Sequence, residues 1–492
     1  MATRAISFEA ACSIRWARRA GLCGLVLIPL ACKGSGPGAH ESAGAATETT
    51  TAEDTDEPAP LPPWEPGTVY PSVAEPNARG YLDRRGIVHA HSVYSHDACD
   101  NQPRDADDRI DQTCLADLRR AMCQTRHDFK MLTDHNESFS RTEFPDTLLH
   151  DPDRGDELVE VDGAPVASWA ACDAASPVLV MAGCEAATMP IGLEGHVPDR
   201  GDAYRAATPE AIAQFKAKGA IALVAHTEDW TVEQLVDLPL DGFEMYNLHA
   251  NLLSNLPAGL ELIGKVVQDD PGLPHSDLVL FPIWQEDPRY LERWGSVLAT
   301  GARRVTTLGT DSHQNTLREV LPDGERIDSF RRLLLWFSNH VLLQPEADGT
   351  WNHAHLKEAI AAGRLYGVFE YMGYAEGFDA RIVHGDEVGE IGAEVSLADS
   401  PVIVVDAPVV RGLEATAPQP EITIHLLRAV EGGFEEVASG TDRLEHAPQS
   451  VGAHRVEIRI TPLHLQPYLG DYADLASEPR VWIYANPFYV TQ

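Results

Sequence analysis

At 492 residues the chain is too long for one small domain and should hold two or three. With 44% hydrophobic and 23% charged residues, most of it should fold around ordinary cores. A formal net charge of -37 repels a phosphate backbone, and no local basic stripe offsets it, so nucleic acid is set aside as a partner.

The first element, residues 1–32, is an export signal: Arg15, Arg18 and Arg19 precede "AGLCGLVLIPLAC", an apolar run too short to span a bilayer. It resembles a bacterial lipoprotein signal with Leu30-Ala31-Cys32 at the cleavage point. That implies a lipid anchor at Cys32 and a periplasmic, outer-membrane or cell-surface location. An ordinary secretory signal with a stray cysteine is the other reading. Residues 33–70 are acidic and Pro-rich, and they read as a disordered, self-repelling tether. Of the later cysteines, Cys184 sits in the apolar run "PVLVMAGCE" and is expected as a buried free thiol. Cys99, Cys114, Cys123 and Cys172 allow two bridges in three connectivities. A Cys99–Cys114 bridge would close a loop whose chain entropy corresponds to roughly 3 kcal/mol.

Residues 71–375 repeat one pattern, a short apolar run ending in titratable groups. "GIVHAHS" ends in His89 and His91, "DFKMLTDHNE" in Asp134 and His135, and "SPVLVMAGCEAAT" in Glu185. "AIALVAHTED" ends in His226, "DGFEMYN" carries Glu244 and Asn247, and "ARRVTTLGTDSHQ" ends in Asp311 and His313. Helical patterns lie between them. "TCLADLRRAMCQT" is one; "TPEAIAQFKAKGA" is another, with Thr208 as N-cap, Pro209 at the first helical position and Gly219 at the stop. Alternating strands and helices predict an α/β fold with a parallel sheet. Closed into a barrel, such a sheet gathers its strand ends on one face. His-x-His on a strand points both imidazoles the same way. With the other strand-end groups it predicts a metal centre. The remaining histidines, His249 among them, read as structural or surface residues.

From about Phe378 the strand-like runs "EVSLADSPVIVVDAPVV", "EITIHLLRA", "HRVEIRITP" and "RVWIYANPFYV" predict a C-terminal all-β, sandwich-like domain over residues 376–492.

In order, "HAHSVYSHD", "TDH", "GCE", "EGH" at Glu194–His196, "VAH" and "GTDSH" resemble the motif series of the polymerase and histidinol phosphatase (PHP) family. The resemblance covers about Gly86 to His313. Within the family the chain is most similar to a secreted branch that includes carbamate-ester hydrolases. The family implies a distorted seven-stranded (β/α) barrel holding two or three divalent ions, with Zn, Mn or Fe suited to imidazole and carboxylate ligands. Position by position it implies that His89, His91, Glu185 and Asp311 hold one ion. Glu185 then bridges to a second ion held by His196 and His226, and a third uses His135, His313 and one residue of the "SHD" corner. Register favours His96 there, and a local bulge would favour Asp97. Asp134 and Glu244 are the candidate catalytic side chains, acting by orienting ligands or water; ordinary turn and strand-end roles are their alternatives. Arg200, Arg303 and Arg304 are candidate phosphate or carboxylate clamps, with surface placement as their alternative.

The function these features imply is hydrolysis by metal-activated water. Small phosphoesters are the first choice of substrate, and carbamates or carboxyl esters the alternative. A non-catalytic, metal-stabilised binding lipoprotein is the alternative of another class. Oligomeric state and substrate identity have no signal in the sequence.

Overall fold

The structure is a computed structural model that describes residues 61–492 apart from residue 174. The export segment, Cys32 and the tether as far as residue 60 lie outside the described residues. The tether's last stretch is packed. Trp64 donates its backbone N–H to Gly412 O at 2.8 Å and sets its ring edge-on to His464, and Tyr70 is buried. Burial of two large aromatic rings outweighs the Pro-rich local sequence.

The apolar runs become strands β1 (Leu82–Ala90), β2 (Phe129–Leu132), β3 (Val178–Gly183), β4 (Met189–Leu193), β5 (Ile221–Leu223), β6 (Gly242–Asn247), β7 (Val305–Gly309), β8 (Ser338–Leu343) and β9 (Leu365–Val368). β2 through β8 are buried at every residue, the mark of strands covered on both faces. β1, β2 and β3 are parallel neighbours, with Gly86 opposite Phe129 and Phe129 opposite Leu179. β6 and β7 are parallel, with Gly242 opposite Val305.

The expected parallel sheet holds for part of the strands only. β4 runs antiparallel to β3 and β5, and β8 antiparallel to β1 and β9. Only Cys184–Thr188 separate β3 from β4, too short a link for the crossover that parallel strands need. Between β5 and β6 the backbone bonds are Asp241 N to Ala222 O at 2.8 Å and Glu244 N to Val224 O at 3.0 Å. The ends of β7 and β1 meet through Thr310 N and Asp311 N, which donate to His89 O at 3.0 and 3.2 Å, and His91 N, which donates to Ser312 O at 3.1 Å.

Helices α1 (Gln112–Gln124), α2 (Pro209–Ala217), α3 (Pro288–Ala299) and α4 (His353–Ala361) flank the strands. α2 begins as its sequence dictates: the Thr208 hydroxyl accepts from Ala211 N, Pro209 opens the helix, and Gly219 follows its end at φ +73°. The C-terminal region is mainly β. Asp379–His384, Glu387–Glu390, Val402–Asp406 and Arg443–His446 form a four-stranded sheet. Strand Arg480–Ala485 pairs antiparallel with β9 and carries Gly452–Thr461 and Glu421–Val430 into the main sheet. The fold is mixed α/β, with one large mixed sheet and a mainly β C-terminal region. Among the described residues no helix is long and apolar enough to cross a membrane.

Among the described residues two disulfides form, Cys99–Cys114 and Cys123–Cys172, and Cys184 is a buried free thiol. Disulfides of this kind fit an extracellular or periplasmic protein.

Candidate metal centre

The ends of β1, β2 and β3 in the main sheet meet the end of β7, which pairs with β6 in a separate two-stranded sheet. The β7–β1 backbone bonds set Asp311 and His313 beside His89 and His91. Glu185 N donates to Thr133 O at 3.0 Å, and His135 forms a bridge with Glu185, which seats β3's end beside β2's. Four ligand atoms then converge. His91 Nε2 lies 3.0 Å from Glu185 Oε2 and 3.2 Å from Asp311 Oδ1. His89 Nε2 lies 3.6 and 3.5 Å from the same two oxygens and 3.3 Å from His91 Nε2. Ligands held tetrahedrally at about 2.0–2.1 Å from zinc stand about 3.3 Å apart, so the spacing fits an ion.

The imidazoles are aimed by their other nitrogens. His89 Nδ1 donates to Glu244 Oε1 at 2.5 Å. His91 Nδ1 donates to Ser95 Oγ at 3.2 Å, and that hydroxyl donates to Asp97 Oδ1 at 2.9 Å. His313 Nδ1 donates to Asp311 O at 2.8 Å, and His226 Nδ1 to Glu228 Oε1 at 3.3 Å. Each bond leaves an Nε2 lone pair facing the cluster, the arrangement that metal-binding histidines use. Glu185 Oε2, Asp311 Oδ1 and His313 Nε2 are buried without a hydrogen-bond partner. Unpartnered buried donors and acceptors are costly, and a cation among them resolves the cost. Asp311 and His226 also hold φ of +52° and +50°, in the left-handed region that few non-glycine residues occupy.

Burial pushes the Glu185 and Asp311 carboxyls up, but the histidines around them outweigh it and hold both well below the usual carboxylate range. Burial pulls His135 down, and its bond to Asp97 with the charge of Glu185 more than reverses this, raising it to about 9. The carboxylates therefore favour the protonated form of His135, and a cation bound in place of that proton would release it.

His91, Asp97, His135 and His313 offer a second set of ligand atoms within 4.8 Å of one another. Asp97 Oδ2 lies 3.1 Å from both His135 Nε2 and His313 Nε2. Asp97, not His96, is thus the corner residue of this set; His96 is exposed, with its ring centroid 5.1 Å from that of His135. The chain leaves the strand at Ala90 and turns, so strand alternation does not carry as far as His96. Asp134, expected to orient an imidazole or cap its own turn, instead accepts from Ser92 N and Ser92 Oγ, both at 2.6 Å, and fastens the turn after His91.

His226 reaches the centre: its Nε2 is 3.1 Å from Glu185 Oε1 and 3.2 Å from Asp311 Oδ2. His196 does not. Its Nε2 meets Thr142 O at 2.8 Å and its Nδ1 meets Tyr204 OH at 3.2 Å, among Phe139 and Phe144. His249, read as structural, does reach it, with Nδ1 3.2 Å from Asp311 Oδ2. The signal was present: His249 follows β6 by two residues, as the other ligands follow their strands. The acidic trio Asp277, Asp323 and Glu325 is a different matter, since Arg331 and Arg332 pair with it.

A scan against protein-family models returns no match, and searches of curated proteins and of solved structures return none either. The functional reading rests on the chain's own residues.

Proposed function

We propose that this chain is an exported, metal-dependent hydrolase of the PHP type, acting on small phosphoesters. One observation carries the reading: two histidines, a glutamate and an aspartate from three strand ends converge, buried, at ligand spacing with two oxygens unpartnered. Two or three divalent ions would supply an activated water and a Lewis acid for the substrate oxygen. Glu244 holds His89 in the ligand tautomer, and Ser95 does the same for His91. His135, His226 and His249, with side chains 28%, 32% and 29% exposed, form the side from which a substrate enters. The β5–β6 and β7–β1 backbone bonds support reading β1–β7 as a distorted seven-stranded ring.

One observation favours carbamates or carboxyl esters as the second reading. The three nominated arginines are engaged elsewhere: Arg200 with Glu143, Arg303 with Glu394, and Arg304 with the carbonyls of Leu235, Val236 and Leu238. Their partners are these groups and not the residues of the cluster. The test is elemental analysis of the compact unit 60–492 beside a panel of aryl phosphomonoesters, phosphodiesters, carboxyl esters and carbamates. Bound metal with turnover of one class supports the hydrolase and selects the substrate. Metal without turnover of any ester leaves the binding lipoprotein as the better account.

The reading includes a lipid anchor at Cys32, consistent with the two disulfides. A Cys32→Ser chain is expected in the soluble fraction after cell disruption; retention with the membranes rules out lipidation as the anchor.

A further inference from the structure

We infer that the second ion position is built from Glu185, Asp311, His226 and His249, with His249 in the place that sequence motifs assign to His196. The inference rests on the metal-centre reading above. Glu185 and Asp311 each turn one oxygen toward the buried pair His89 and His91 and the other outward. On the outward side, Glu185 Oε1 is 3.1 Å from His226 Nε2, and Asp311 Oδ2 is 3.2 Å from both His226 Nε2 and His249 Nδ1. Two imidazole nitrogens at one carboxylate oxygen, with a second carboxylate oxygen 3.1 Å from one of them, begin a ligand set for a divalent cation, and His249, Asp311 and His313 bring ligand atoms within 4.8 Å of one another beside it.

His249's place is fixed through the same carboxylate that aims His89. Glu244 Oε2 accepts from Asn247 Nδ2 at 3.2 Å, and Asn247 Oδ1 accepts from Ala250 N at 2.9 Å, capping the short helix Leu248–Ser254 that begins beside His249. His226 is held from behind by Glu228, which in turn accepts from the Tyr290 hydroxyl. His196, in contrast, has one ring nitrogen on the Thr142 carbonyl and the other on the Tyr204 hydroxyl, so neither is free to serve as a ligand without breaking a bond. The outward position is also the solvent-reaching one, where a substrate oxygen can complete the coordination.

The test strips the full chain with chelator, reloads it with Co2+, and reads bound metal by elemental analysis together with visible absorption. His249→Ala is expected to bind one equivalent fewer than wild type, as His226→Ala does, with a matching loss of absorption and an unchanged far-ultraviolet circular dichroism spectrum. His196→Ala is expected to keep the wild-type count. Should alanine weaken the fold, His249→Gln repeats the measurement with a side chain of similar size. A wild-type count and spectrum in folded His249→Ala or His249→Gln overturns the inference while leaving the metal centre standing, and so does an equivalent lost in His196→Ala. Wild-type protein that takes up no Co2+ overturns the metal-centre reading, and this inference with it.

Discussion

Replacing His89 and His91 with alanine is expected to abolish both bound metal and turnover. Both side chains are fully buried, and together they supply half of the ligand atoms at the innermost position. Their loss also leaves Glu185 Oε2 and Asp311 Oδ1 facing each other without the two imidazoles, of which His89 is the one that, despite its burial, the carboxylates hold toward its charged form. Breaking a buried charge pair by removing one partner typically costs about 3–5 kcal/mol. The double variant should therefore melt well below the metal-loaded wild type, and below the chelated wild type as well, because the chelated protein keeps both imidazoles. Glu244→Gln tests the same centre more gently. Gln keeps the volume and removes the charge that polarises His89 Nδ1–H, and loss of such a supporting group typically weakens metal affinity about 10–100-fold. Metal content and activity at wild-type level in the double variant would sink the metal reading. Lost activity with unchanged metal would keep these histidines in the chemistry and place the bound metal on the other ligand groups.

The ordered strand-end groups were legible because each sits directly behind an apolar run. Where the chain keeps to its strand, as at His89, spacing alone locates the side chain. Where it turns, spacing fails. Asp97 lies before Cys99, Asp100 and Asn101, all at positive φ, and this turn presents Asp97 while sending His96 outward. His196 follows β4, the strand that runs antiparallel to β3. Its end therefore points away from the parallel strand ends, and its histidine packs in a separate apolar cluster with Phe139 and Tyr204. His249 follows a parallel strand and arrives at the centre. Strand direction, which periodicity does not reveal, thus decides between the two histidines. The C-terminal strands were legible one by one from alternation. That Arg480–Ala485 would join β9 is a long-range pairing with no local signal.

Reducing or removing Cys99–Cys114 is expected to cost both stability and metal at the Asp97 position. Its two cysteines are separated by 15 positions, which corresponds to roughly 3 kcal/mol of chain entropy; those of Cys123–Cys172 are separated by 49, which corresponds to roughly 4. Together these approach the whole stability of many domains, so production in a reducing compartment should give little folded protein. The first bridge has a local task as well. Cys99 N donates to His313 O at 3.0 Å, and Arg326 grips Asp100 at 2.9 and 3.0 Å. The disulfide ties this left-handed turn to α1, and the turn presents Asp97 to His135 and His313. Cys114→Ser should therefore lower stability by about 3 kcal/mol in denaturant titration and also reduce bound metal. Asp97→Asn should reduce bound metal with a much smaller change in stability, because the turn and its bridge remain. His96→Gln should alter neither. If Cys114→Ser unfolds at the wild-type midpoint with full metal content, the corner is held by Arg326 and the backbone alone. A metal loss in His96→Gln that Asp97→Asn does not share would return the ligand role to the exposed histidine.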